Sequence, residues 1–152
     1  MQKINPFLWF DGNLEDAITF YKKTFRKMKV TSVNRLEKKG PVFSATFDIE
    51  GQQFFAINER RTFQFTEAIS FMIYCKTQGE IDRLWEQLSS GGKKSRCGWL
   101  KDKFGLWWQV VPANLNEFVY GKDEAGRKRA MAALMKMDKF DMKMLKDAYN
   151  QK

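Results

Sequence analysis

The sequence contains no histidine. That absence removes the commonest general base near neutral pH and the commonest transition-metal ligand. Ser-His-Asp and Cys-His catalysis are excluded, and so is a His-ligated zinc or iron centre. Any chemistry must run on carboxylates, Tyr, Lys, Cys or backbone dipoles, or be borrowed from a cofactor. Cysteine is scarce as well. Cys75 and Cys97 cannot make a disulfide framework, and both are expected reduced. No apolar run approaches the roughly 18–20 residues of a membrane span, so no membrane role is expected. The start, MQKINPFLWFDGN, lacks the basic-then-apolar layout of a signal peptide, and a cytoplasmic location is expected. Acidic residues are the minority, 18 against 27 Lys and Arg, which gives a net charge of +9.

What is present is apolar. Hydrophobic residues make up 43% of the 152 and aromatics 15%, enough for a buried core and too much for disorder. The positive charge is uneven. Lys22, Lys23, Arg26, Lys27, Lys29, Arg35, Lys38 and Lys39 stand against Glu37 alone, and Lys93, Lys94, Arg96, Lys101 and Lys103 stand against Asp102. Such clusters suit phosphates or acidic surfaces, or a solvated face. No recognised nucleic-acid motif accompanies them, and a basic nucleic-acid-associated protein is kept as an alternative.

Residues 4–10, INPFLWF, read as a strand ended by Asp11-Gly12. Asn13 is placed to cap a helix with Asp16 three residues on, and Leu14, Ala17, Ile18, Tyr21, Phe25 and Met28 carry its stripe to about residue 28. Strands follow near 29–36, 41–49 and 52–58, with turns at Lys39-Gly40 and Glu50-Gly51. The pattern then restarts. Residues 68–75 read as a strand, and Thr77 with Glu80 forms a capping box before Ile81, Leu84, Trp85 and Leu88. Ser89 to Gly92 stops that helix, and strands near 96–100 and 106–112 close the unit. A shift of 64 puts Asn13 on Thr77, Tyr21 on Trp85 and Pro6 on Ser70. A shift of 54 puts Asp48 and Gly51 on Asp102 and Gly105. This is an internal repeat. Past Pro112, a helix over about 124–136, a break at 138–141 and a short helix capped by Asp141 are expected, with a Met-rich stripe for packing.

The strings INPFLWFDGNLEDAITFYKKTF, AISFMIYC, CGWLKDKFGLWWQVVP and KRAMAALMKMDKFDMKMLKDAY together resemble the PhnB-like branch of the vicinal oxygen chelate superfamily, which includes glyoxalase I, bleomycin-resistance proteins and extradiol dioxygenases. The branch is also labelled 3-demethylubiquinone-9 3-methyltransferase, a label that is not itself evidence of methyl transfer. The resemblance implies one α+β domain over 1–152. Two paired βαβββ modules, 3–59 and 66–112, would form a curved sheet cleft, with a C-terminal helical extension at 113–152. A homodimer is implied too. In metal-dependent members four cleft positions hold His, Gln or Glu. Carried over, they fall on Pro6, Ser70, Gln109 and Phe55, or Ala56 if that register slips by one, so no metal and no cofactor is expected.

Strand alternation then sends Leu8, Phe10, Ser70, Met72, Tyr74, Trp107, Gln109 and Val111 to one face and Phe7, Trp9, Phe71, Ile73, Trp108 and Val110 to the other, under the helices. The expected function is binding of an unknown small molecule in a metal-free cleft. The ligand-binding residues are Gln109, Ser70, Tyr74, Trp107, Met72, Leu8, Phe10 and Phe55. No catalytic residue is assigned. An enzyme of the same superfamily working without histidine is a further alternative. A net charge of +9 fits a cationic ligand poorly. The loop Arg60-Arg61-Thr62-Phe63 is read as a cover for the pocket mouth, with both arginines able to pair an anion.

Overall fold

The computed structural model describes residues 2–60 and 63–151. Of the loop expected to cover the pocket mouth, Arg61 and Thr62 lie outside the described residues. The chain divides into two compact units, residues 1–64 and 65–152. Together they are an α+β structure with two four-stranded sheets and five helices among the described residues.

In the first unit, β1 (Phe7–Phe10) leads into α1 (Leu14–Thr24), then β2 (Met28–Arg35), β3 (Val42–Ile49) and β4 (Gln52–Asn58). The sheet order is β1-β4-β3-β2, with β1 parallel to β4 and the other pairs antiparallel. Helix α1 stops earlier than its apolar spacing suggests. Phe25 is extended, and Lys27 exchanges bonds with Glu50 that deliver Met28 into register with Ile49. Asn13 occupies the cap position but makes no side-chain cap bond. The Leu14 N–H donates instead to Asn58 Oδ1, whose own Nδ2 donates to the Val42 carbonyl. The β3–β4 hairpin turns on Glu50 and Gly51, at φ 52° and 93°. Positive φ at both central positions is the type I′ geometry, which matches strand twist. Asp48 Oδ1 accepts the Gly51 N–H at 2.8 Å and fixes the turn.

The second unit repeats the plan. β5 (Phe71–Cys75), α2 (Gln78–Ser89), β6 (Lys93–Lys94), β7 (Trp99–Lys101) and β8 (Trp107–Pro112) form a sheet in the order β5-β8-β7-β6. The identical strand order in both units bears out the βαβββ repeat. Thr77 caps α2 by accepting the Glu80 N–H at 3.2 Å, as its capping-box spacing requires. β5 starts three residues later than expected, because residues 67–69 form a turn.

Three helices follow: α3 (Leu115–Val119), α4 (Glu124–Leu134) and α5 (Met142–Asn150). The first has no counterpart in the sequence reading. Asp141 caps α5 as expected, accepting the Met144 N–H at 2.8 Å. These helices close over the second unit. The Cys97 and Gly98 N–H groups donate to the Met137 and Asp138 carbonyls, and Gln78 bonds both Phe140 O and the Met142 N–H. Ala130, Phe140 and Leu145 are buried, whereas Met131, Met135 and Met144 remain exposed, so the Met-rich stripe packs only in part. No helix among the described residues is long and apolar enough to cross a membrane.

Candidate functional site

In the second unit the two sheet faces are unequal. Cys75, Leu100, Trp108 and Val110 point to the core with the buried side of α2, Ile81, Leu84, Trp85 and Leu88. The register places the opposite face. Met72 pairs with Gln109, Gln109 with Trp99, and Trp107 with Lys101. Cross-strand partners share a face, so these side chains form one surface. At its centre Gln109 Nε2 donates to Ser70 Oγ at 2.9 Å. Met72 and Tyr74 are 45% and 59% exposed beside it. The Trp99 and Trp107 rings meet edge-on with centroids 6.3 Å apart, and Lys101 Nζ lies 5.8 Å from the Trp107 centroid. The structure therefore brings Ser70, Met72, Tyr74, Trp107 and Gln109 to one open face. It adds Trp99 and Lys101, which sequence reasoning missed. The strand there is three residues long, too short for alternation to show.

The first unit corrects the face assignment. Leu8 and Phe10 are 5% and 0% exposed, and share the core face with Phe47, Phe54 and Ala56 on the α1 side. Phe7, at 65% exposed, and the half-buried Trp9 take the open face with Phe55. The cause is a register offset. Met72 pairs with Gln109 while Phe7 pairs with Phe55, so β1 and β5 are related by 65 residues, whereas the helices are related by 64. The loop from β1 to its cap residue Asn13 is one residue longer than the loop from β5 to Thr77. A slip of one residue exchanges the two faces of a strand. The first-strand counterpart of Ser70 is then Asn5 rather than Pro6. Asn5 is half-buried, its Nδ2 donates to the Gln2 carbonyl at 2.7 Å, and its Oδ1 is buried without a partner.

The first unit also contains a hollow of about 340 Å³, lined by residues that include Leu36, Pro41, Val42, Phe43 and Asn58. It holds none of the eight sequence-named residues. The basic cluster lies on the last turn of α1, in the connection after it, on the edge strand β2 and in the turn that follows, and is exposed throughout. Only one of its members forms an ion pair among the described residues, Arg35 with Glu15 at 2.6 Å. That pair holds the Glu15 carboxyl below the usual carboxylate range.

Neither cysteine makes a reactive centre by position. Cys75 is fully buried, and desolvation pushes its thiol up to about 12. Cys97 is half-buried, and its Sγ lies 3.8 Å from the Leu134 carbonyl. Among the described residues no group of three or more Cys, Asp or Glu side chains is placed to hold a metal ion.

A strand-helix-three-strand unit, used twice, with one sheet face under a helix and the other open, is the fold of the vicinal oxygen chelate superfamily. The chain belongs to the 3-demethylubiquinone-9 3-methyltransferase family, whose pattern matches residues 2–111. The match stops before α3, α4 and α5. Among solved structures, a putative 3-demethylubiquinone-9 3-methyltransferase, the PhnB protein from Bacillus cereus, is 34% identical. It aligns over 74% of this chain and 100% of its own with a TM-score of 0.69. The fosfomycin resistance protein FosX from Mesorhizobium loti shares the fold at 12% identity, with a TM-score of 0.59 over 79% of this chain and 98% of its own. FosX from Listeria monocytogenes, solved with Mn(II) and sulfate, does so at 13% identity and 0.54, over 79% and 97%. A comparison with functionally curated proteins finds no match.

The positions that the resemblance singles out as metal ligands carry no charged donor in either unit. A hard divalent cation such as Mn(II) favours carboxylate, carbonyl and water oxygens. In the second unit these positions are Ser70 and Gln109, both uncharged, and the Ser70 hydroxyl is already engaged by the Gln109 amide; in the first unit they are Asn5 and Phe55.

Proposed function

We propose that this protein binds a small organic molecule on the open sheet face of its second unit, through hydrogen bonds rather than a metal. The observation that carries this reading is the Gln109–Ser70 pair, a polar couple set among Met72, Tyr74, Trp99 and Trp107 on a hydrogen-bonded sheet. Binding sites are built this way: apolar walls supply most of the contact area, and a few fixed polar groups set orientation. The Gln109 amide retains its carbonyl oxygen as acceptor, and Ser70 retains its hydroxyl proton as donor, so the couple offers a ligand one of each. Tyr74 adds an exposed phenolic hydroxyl at the end of β5.

A thermal-shift screen against a library of small metabolites tests the proposal. A ligand of the folded state raises the melting temperature in proportion to RT ln(1 + [L]/Kd). At least one compound should raise it and also quench tryptophan fluorescence. The Gln109→Ala and Ser70→Ala variants should weaken that compound by about tenfold each, the cost of a hydrogen bond left unmade. Hits unaffected by both variants, or no hits, refute the reading.

A further inference from the structure

The charge on that open face is of one sign. β5, β6, β7 and β8 read FMIYC, KK, WLK and WWQVVP and contain no acidic residue. Their three lysines are sorted by register. Lys94 pairs with Leu100, which points to the core, and Lys94 Nζ reaches Glu86 of α2 at 2.7 and 2.8 Å. Its charge is therefore answered on the helix side. Lys93 pairs with Lys101, and Lys101 pairs with Trp107, so these two lysines share the open face with the tryptophans. Neither forms an ion pair among the described residues, whereas Lys94 beside them does. Like charges directly opposite on neighbouring strands repel. The arrangement is stabilised when an anion is shared between them. Lys101 Nζ, 5.8 Å from the Trp107 centroid, holds this charge beside an aromatic plane rather than out in solvent.

Resting on the binding role proposed above, we infer that the ligand is a flat organic acid. Its carboxylate lies between Lys93 and Lys101, its aromatic or conjugated body lies against Trp107 and Trp99, and one polar substituent meets the Ser70–Gln109 couple. The row Trp107, Lys101, Lys93 crosses the sheet from β8 to β6, and Ser70, just before β5, extends it on the other side. At about 4.8 Å between neighbouring strands, it matches an acid of two fused rings. A cationic ligand would meet two uncompensated lysines and is rejected.

The test uses three isosteric probes: 2-naphthoate, neutral 2-naphthamide and cationic 2-naphthylmethylamine. Binding is read on the indole N–H resonances of Trp99 and Trp107 in the full-length protein. Naphthoate should bind about tenfold or more tighter than the amide, the increment of a charge-assisted contact, and the amine should bind least. The double variant Lys93→Met/Lys101→Met should bring naphthoate down to the amide's affinity without moving the amide. Lys93→Arg/Lys101→Arg should keep the preference. Circular dichroism and melting of each variant separate lost binding from lost folding. An amide or amine that binds as well as the acid overturns the ligand class and leaves the binding role standing. So does an acid preference that survives loss of both lysines. If none of the three moves either resonance, the flat-acid inference fails, and the library screen with Gln109→Ala judges the binding role separately.

Discussion

Asp102 is a carboxylate placed in a core, and removing it is the sharpest test of how the second unit is held. Its side chain is 1% exposed. Oδ1 accepts the N–H groups of Phe104 at 2.9 Å and Leu106 at 3.0 Å, and Oδ2 accepts Trp108 Nε1 at 2.9 Å. One carboxylate thus shapes the β7–β8 turn and fixes the indole that pairs with Phe71 in β5. Asp102→Ala strands all three donors. Two of them, Leu106 N–H and Trp108 Nε1, are buried, and each costs about 1–3 kcal/mol when left without a partner. The Phe104 N–H is partly reachable by water and adds less. The expected loss is about 3–5 kcal/mol. At about 2–4 °C per kcal/mol for a chain of this size, the melting temperature falls by about 10 °C. Asp102→Asn keeps one acceptor oxygen and falls between. The first unit supplies a control, because Asp48, which the 54-residue sequence shift sets against Asp102, accepts only the Gly51 N–H of an exposed turn. Asp48→Ala should cost less than about 1 kcal/mol. Urea unfolding of the three variants measures the series. A loss below about 1 kcal/mol for Asp102→Ala, or equal losses at both positions, refutes the argument.

Three further outcomes follow from named contacts. Gly98 has φ 78°, and a β-carbon there would lie 2.6 Å from the Val110 carbonyl and 2.7 Å from the Phe140 ring. Gly98→Ala should therefore cost about 2–4 kcal/mol in urea unfolding, and a neutral result would show that the C-terminal helices do not press on this turn. Gln78→Ala cuts the bonds from α2 to Phe140 O and the Met142 N–H, both 2.9 Å. It should cost about 1–3 kcal/mol and accelerate hydrogen exchange at Met142 before it does so in β8. Cys75 is held protonated in the fold by a thiol pushed up to about 12, against 9.0 for the free group. Between those values the unfolded chain binds fewer protons than the native one, so stability falls as pH rises from about 9. Cys75→Ala should remove that part of the slope, and Ellman's reagent at pH 8 should label Cys97 well before Cys75. Equal labelling rates would contradict the burial.

Much of this fold is legible in the sequence, because its signals are local. The hairpin at Glu50-Gly51, the Thr77–Glu80 capping box and the Asp141 cap each declare themselves within four residues, and each stands where expected. The doubled βαβββ order is legible because two runs of the same elements leave little choice of pairing. What could not be read is what depends on distant partners. Asn13 carries the right side chain for a cap, yet the work is done by Asn58, which folding brings from the far end of β4. Helix α1 has apolar spacing to Met28 but ends at Thr24, because Met28 is worth more paired with Ile49 in a sheet.

The register of β1 is the most consequential of these distant effects. Alignment through the helices ties Pro6 to Ser70, and nothing in a strand of four residues contradicts it, since Phe7, Leu8, Trp9 and Phe10 are all apolar. With no polar member the alternation carries no phase, and either face reads as core. Pairing resolves it, because Leu8 stands against Ala56 and Phe7 against Phe55. The open face of β1 then belongs to Asn5, Phe7 and Trp9. At the repeat-related position Pro6 is replaced by an amide, so the first unit presents one hydrogen-bonding side chain where the sequence reading left none. That amide still brings no charge. On the second unit's open face Ser70 and Gln109 are neutral as well, and the charge there is carried by Lys93 and Lys101.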